Sequence, residues 1–176
     1  MPSAIQVAPP NNSFLEREMG GSSIALETAA KCGVYVESDN KKNAAMLGWK
    51  NARTLGDCLV FPRFDRHGKP TGDIFQIKPS NPLEPKRKYE SPKGRSTVAY
   101  FPPIADFCTP GLLVITEGAK KTLAGNQDDV TTIGLSGVWN WGTPRPKNDQ
   151  GKKTGPKELC DDLRSIGQVK GFVGQP

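Results

Sequence analysis

Apolar positions along this chain fall in short bursts divided by glycine, proline and charge. Residues 58–64 (CLVFPRF) and 74–78 (IFQIK) are two such bursts. The cluster DRHGKPTGD between them is turn chemistry, so the pair predicts a β-hairpin. Residues 97–101 (TVAYF) predict a third strand, stopped by Pro102 and Pro103. Upstream, residues 23–32 predict a helix closed by Gly33 just past its C-cap. Residues 40–47 predict a second short helix before Gly48. Residues 1–13 are polar with a Pro9-Pro10 step and read as a loose arm.

The pattern changes at Gly111. Residues 111–116 (GLLVIT) form an apolar run without alternation, the mark of a strand buried on both faces in a parallel sheet. Glu117 and Gly118 follow, then a helical stretch at 119–124 (AKKTLA) and a strand at 131–135 (TTIGL). Strand, helix and strand in so short a span predict a βαβ unit. A long polar loop over 136–157 carries Trp139 and Trp141. Residues 158–166 predict a helix with Leu159, Leu163 and Ile166 on one face, and residues 169–173 begin a further strand. The chain therefore divides into an arm (1–22), an α+β segment with a hairpin (23–108) and an α/β segment (109–176) whose sheet is incomplete. That incompleteness fits either a piece of a longer protein or a remnant kept for binding, and the broken sheet favours the former.

Composition narrows the classes. Nineteen glycines and 16 prolines in 176 residues exclude a coiled coil or long helical bundle. No apolar run approaches the roughly 18 residues of a membrane span, and no secretory signal is visible, so the expectation is a soluble cytoplasmic protein without membrane contact. The formal net charge is +6, which makes a polyanion a reasonable partner. The cations cluster. Lys86, Arg87 and Lys88 form one knot, with Lys93 and Arg95 nearby; Arg145, Lys147, Lys152, Lys153 and Lys157 form a second. Both lie in Pro/Gly-rich stretches, either as solvated loops or as two phosphate-contacting loops on one face. Cys32, Cys58, Cys108 and Cys160 are too far apart for zinc pairs, and the single histidine, His67, sits in a turn without a nucleophile beside it. The cysteines read as reduced packing residues.

The most informative position is Glu117. Open α/β sheets bind ligands at the carboxyl ends of their strands, and Glu117 stands at such an end. A carboxylate there can hold a divalent metal or handle a proton in phosphoryl transfer. It also lies beside a helix N-terminus, where it could simply be a capping group. Gly118 frees the backbone for the sharp turn into the helix. Lys120 and Lys121 either meet a phosphate or stay solvated. Trp139 and Trp141 suggest a stacking platform for single-stranded bases, with Trp139 the better candidate for the core and Trp141 for nucleic acid. Residues 151–154 (GKKT) fail as a P-loop, because the upstream glycine is misplaced and Lys153 occupies the hydroxyl position.

Residues 112–124 (LLVITEGAKKTLA) resemble the first motif of Toprim domains, which occur in bacterial-type primases, topoisomerases and related nucleases. With the Lys120-Lys121 pair and residues 133–139 (IGLSGVW), the chain resembles an uncharacterised Toprim-like family of phage and plasmid replication proteins, often found beside a helicase. Residues 59–62 (LVFP), Asp65, Gly68, Lys88-Tyr89 and 100–103 (YFPP) resemble the segment preceding Toprim in that family. The likeness spans roughly residues 30–173. It implies a Toprim-like α/β fold: a partial parallel sheet with flanking helices, behind a small α+β segment with a hairpin. It also implies Glu117 as general acid or base and as a ligand to Mg2+. The Asp-x-Asp motif that would complete the metal site has no match. Asp128-Asp129 and Asp161-Asp162 fall at the wrong places, so the magnesium site is expected to be weak or incomplete.

The expected function is thus a nucleic-acid-binding Toprim-like module of a primase-type replication protein from a mobile element. Its partners would be single-stranded DNA or another nucleic acid and a replication helicase. The contacts would come from Lys86, Arg87, Lys88, Lys120, Lys121, Trp141, Arg145, Lys147, Lys152 and Lys153. In complete form such a module supports metal-dependent nucleotidyl or phosphoryl transfer. The alternatives are a non-enzymatic adaptor or inhibitor on the same scaffold, and a small-nucleotide binder.

Overall fold

The computed structural model describes residues 12–94, 98–109, 111–137 and 139–167. The strand expected at 169–173, the first residue of the strand expected at 97–101, and Arg95 lie outside the described residues.

The N-terminal part holds helix α1 (Asn12–Gly20), helix α2 (Leu26–Lys31), strand β1 (Tyr35–Glu37), helix α3 (Asn40–Leu47) and strands β2 (Cys58–Phe64) and β3 (Pro70–Pro79). The three strands form one antiparallel sheet with β2 in the middle. The hairpin between β2 and β3 is as expected. Its turn is tied by the Asp65 carboxylate, which accepts from the amides of His67 and Lys69 at 2.9 and 3.0 Å. Helix α3 starts on the side chain of Asp39, which accepts from the amides of Lys41 and Lys42, and stops at Gly48, whose φ of 68° is left-handed.

Strand β2 is apolar from Cys58 to Pro62 because both its faces are covered. Leu59 and Phe61 pack in a cluster with Phe14 and Met19 of α1, Ala29 of α2 and Tyr100. Cys58 and Val60 face the other way, against Leu47, Leu55 and Ile77. By the same alternation Arg63 continues the side of Leu59 and Phe61, and it is buried. Helix α1 was not expected, since residues 1–22 read as an arm. From Asn12 onward that stretch is helical, and Leu15 and Met19, four residues apart, turn the same face to the core as Phe14.

The C-terminal part contains strand β4 (Val114–Glu117), helix α4 (Ala119–Gln127), strand β5 (Thr132–Leu135) and helix α5 (Asp161–Gly167). Strands β4 and β5 pair in parallel, Glu117 opposite Leu135, with α4 between them in sequence, so the βαβ unit is present. The fold is α/β here, preceded by the antiparallel α+β segment, in agreement with the expected class.

Burial differs from expectation. All of β5 is buried, whereas Leu112, Val114 and Ile115 are exposed at 79%, 37% and 44%. The reason is topological: among the described residues β5 is paired on both edges and β4 on one. Gly134 of β5 exchanges backbone hydrogen bonds with Tyr100 at 2.8 and 3.1 Å, on the edge away from β4. Among the described residues the expected strand at 97–101 is reduced to this single antiparallel bridge. Each face of β5 also carries a helix. Thr132 and Gly134 meet α4, and a Cβ at Gly134 would run into the Thr122 hydroxyl. Ile133 and Leu135 pack with Leu163 and Ile166 of α5.

The long loop folds back on itself, with bridges between Gly142 and Leu159 and between Lys147 and Lys153. It reverses the expected burial of the tryptophans. Trp139 is 76% exposed, while Trp141 packs against the α5 cluster under the ammonium of Lys157, 4.5 Å from its ring centre. No described helix is long and apolar enough to cross a membrane.

Candidate nucleic-acid interface

A cleft of about 680 Å³ opens where the antiparallel sheet meets the βαβ unit, lined in part by Lys78, Lys88, Tyr89, Glu117, Lys120 and Lys121. Besides Ser22 in the turn after α1, three separate parts of the chain build it. Strand β3 turns Gln76 and Lys78 toward the cleft on one side of its pleat and Ile77 into the core on the other. The 86–90 segment is fastened to β3 by reciprocal backbone hydrogen bonds between Glu90 and Ile77, both 2.8 Å. The Glu90 carboxylate is buried beneath it with Arg87 Nη2 2.6 Å away, and burial raises its pKa against the opposing pull of Arg87. This anchorage sets Lys88 and Tyr89 on the cleft wall.

The βαβ unit supplies the third wall. Glu117 is the last residue of β4, exposed at the carboxyl end of a parallel pair. Gly118 turns the chain into α4 with φ 90° and ψ 147°, a conformation essentially restricted to glycine. Lys120 and Lys121 follow in the first turn of α4 and reach the same opening as Glu117.

One carboxylate from outside these walls joins them. Glu18 of α1 accepts from Lys78 and from Lys120, the latter at 3.0 Å, and the Glu18 carbonyl oxygen also accepts from Lys120 at 3.1 Å. Burial alone would raise the Glu18 pKa; the hydrogen bonds and charges of Lys78 and Lys120 outweigh it and hold the carboxyl below its ordinary value. Lys88 and Lys121 are exposed.

Of the residues expected to meet nucleic acid, Lys88, Lys120 and Lys121 converge on this cleft beside Glu117 and Gly118. Lys86 and Arg87 are exposed neighbours on the same segment but do not line it. Arg145, Lys147, Lys152 and Lys153 are exposed on the folded-back loop, also outside the lining. Trp141 offers no free ring face on its Lys157 side. Sequence reasoning missed Glu18, Ser22, Gln76, Lys78 and Ser136. The alternation of Gln76 and Lys78 around Ile77 was a readable signal for two of them; Glu18 gave none, because its stretch read as unstructured.

Magnesium does not fit the residues present. Among the described residues no three acidic, histidine or cysteine side chains converge. Among the described residues Glu117 is the only carboxylate lining the cleft, and it shares it with Lys78, Lys88, Lys120 and Lys121. A hard divalent cation needs more oxygen ligands and fewer ammonium groups. Asp162 accepts from the Ala99 amide at 2.7 Å and Asp161 pairs with Arg164, so neither serves the cleft. His67 lies apart, with Nδ1 3.9 Å from Cys108 Sγ and Nε2 accepting from Arg66.

Comparison with known proteins adds three findings. Residues 109–171, little more than a third of the chain, match the family described as a domain of unknown function, DUF3854. No curated protein matches the sequence. Among solved structures, the chain resembles the DnaG primase catalytic domain bound to single-stranded DNA, with 12% identity, a TM-score of 0.54, and coverage of 92% of this chain and 54% of that one. It also resembles the RNA polymerase domain of Mycobacterium tuberculosis primase DnaG, in complex with a double-stranded DNA oligomer carrying a 6-nucleotide overhang. There the identity is 13%, the TM-score 0.56 and the coverage 94% and 54%. The E. coli primase catalytic core is similar at 13% identity and TM-score 0.50, over 74% of this chain and 50% of that one. The chain spans about half the length of each of these structures, and the likeness is one of fold: a primase-catalytic-domain-like α/β arrangement.

Proposed function

We propose that this chain is a nucleic-acid-binding module of a primase-type replication protein, and that the cleft beside Glu117 receives the phosphates of a single strand. The observation that supports this reading best is the convergence of Lys78, Lys88, Lys120 and Lys121 on the carboxyl end of a parallel strand pair. The fold likeness to primase catalytic domains, one of them described with single-stranded DNA, points the same way. The resemblance to Toprim motifs supports a phage or plasmid replication protein with a helicase as neighbour. Phosphotransfer by Glu117 would require acidic groups additional to those described.

Single-stranded DNA binding measured by fluorescence anisotropy across a salt series tests the reading. Four lysine–phosphate contacts at about 0.7 counterions each predict a log–log slope of about −3. Replacing Lys120 and Lys121 together with alanine should weaken binding and flatten that slope. Absence of binding at low salt would refute it.

That the described residues bring a single carboxylate to the lining of the cleft also favours a second reading, a non-enzymatic adaptor or inhibitor on the same scaffold. Glu117→Gln separates the two. Loss of a magnesium-dependent activity supports the enzyme; unchanged behaviour with intact partner binding supports the adaptor.

A further inference from the structure

Arg63 and Glu90 are the charged side chains buried among the described residues. Glu90 has Arg87 beside it. Arg63 has no carboxylate partner among the described residues, and its Nη1 has no hydrogen-bond partner there. The guanidinium lies over the ring of Tyr100, 4.7 Å from its centre. Burial pushes its pKa down to about 10, so it remains a cation at neutral pH. A buried, uncompensated charge is destabilising, and such a group calls for a counter-ion.

The two hydrogen bonds Arg63 does make indicate where that counter-ion sits. Nη2 donates to Gln76 Oε1 at 3.1 Å and to Ser136 Oγ at 3.2 Å. Both partners line the cleft that also holds Glu117, Lys78 and Lys120. A glutamine whose carbonyl oxygen is engaged offers its NH2, and a serine whose oxygen is engaged offers its O–H. Arg63 thereby converts two ambivalent side chains into donors and places a positive charge beneath them. Donors over a buried cation, rimmed by ammonium groups, suit an anionic acceptor such as a tetrahedral oxyanion and disfavour a cation.

We infer that Arg63 is a positioning residue which makes the floor of this cleft an anion receptor, and that its missing counter-ion is a phosphate group held on Gln76 and Ser136. The inference rests on the nucleic-acid reading above and deepens it by naming the phosphate seat. That phosphate can belong to a polynucleotide backbone or to a free oligophosphate.

The test uses thermal unfolding of the full chain with pyrophosphate as probe, beside anisotropy with a single-stranded oligonucleotide. In the native chain the midpoint should climb with the logarithm of pyrophosphate concentration. Arg63→Met should fold with a midpoint equal to or above the native one and lose at least tenfold in pyrophosphate affinity. Arg63→Lys should recover part of that loss, which a merely space-filling role would not allow. Should Arg63→Met fail to fold, Ser136→Ala decides, with an expected several-fold loss. Native-like pyrophosphate affinity in the folded variant overturns the phosphate seat while leaving DNA binding on the lysines intact. Absence of oligonucleotide binding by the native chain at low salt overturns the broader reading instead. If pyrophosphate shifts the midpoint and the oligonucleotide binds without loss in Arg63→Met, the seat belongs to free oligophosphates; parallel losses assign it to the backbone.

Discussion

The Glu18 carboxylate accepts a hydrogen bond from the Lys120 ammonium at 3.0 Å, joining helix α1 to helix α4 across 102 positions of sequence. The same oxygen takes Lys78, so one acid holds two of the cleft lysines. An incoming phosphate must share those lysines with it.

Glu18→Gln should therefore tighten single-stranded DNA binding. Releasing partly exposed pairs is worth about 0.5–1 kcal/mol, or roughly two- to fivefold in affinity. An anisotropy titration in which the variant binds more weakly would show that Glu18 serves the ligand rather than competing with it.

The same residue carries a pH signature. Its pKa lies below the ordinary glutamate value, so its contribution to stability is complete above that value and is lost as pH falls through the folded pKa. Thermal midpoints recorded downward from neutrality should show the native chain and Glu18→Gln converging once the pH passes below about 4. A constant gap across that window contradicts the pairing.

Asn126 clamps the α4–β5 connection. Its Nδ2 donates to the carbonyls of Thr122 and Thr132 at 2.8 and 2.7 Å, and its Oδ1 accepts from the Thr132 amide at 3.0 Å. The side chain is buried, so Asn126→Ala strands backbone groups of β5 away from water. The expected loss is about 2–3 kcal/mol by urea denaturation.

Gly118 and Gly134 should fail for different reasons. At Gly118 a Cβ meets nothing, but φ 90° is strained for any other residue, and Gly118→Ala should cost about 1–3 kcal/mol. At Gly134 the obstacle is Thr122. Removing the Thr122 hydroxyl in the double variant Thr122→Ala/Gly134→Ala should recover more stability than the same removal beside Gly118→Ala.

Thiol labelling reads the core directly. Burial pushes the Cys32 thiol up to about 11; burial, with Asp57 and Glu37 nearby, pushes Cys58 up to about 12. Cys108 is exposed and Cys160 half-buried. Under native conditions a disulfide reagent should label Cys108 first and Cys160 more slowly, with Cys32 and Cys58 reacting only on unfolding. Rapid labelling of Cys32 would deny the packing of α2 against β2.

Much of this fold is written locally. The hairpin is legible because turn chemistry at 65–69 sits between two apolar runs, and α3 because Asp39 and Gly48 bracket it. Glu117-Gly118 is legible as a strand-to-helix junction because an apolar run ends there and a helical stretch begins. Each signal lies within a few residues of what it specifies, where backbone preference and capping act.

Long-range placement was decided only by the folded chain. Whether β4 or β5 is the inner strand depends on which edge Tyr100 bridges, and the apolar run at 112–115 looks the same in either position. Trp139 and Trp141 stand two positions apart with nothing local to tell them apart, and only the returning loop with Lys157 selects Trp141 for cover. The cleft itself joins Glu18, Arg63, Lys78, Lys88 and Lys120 from distant parts of the sequence. Hydrogen bonds and charge pairs of that reach follow from how sheets and helices pack, because a side chain's partner is set by distance in space and carries no mark in the residues beside it.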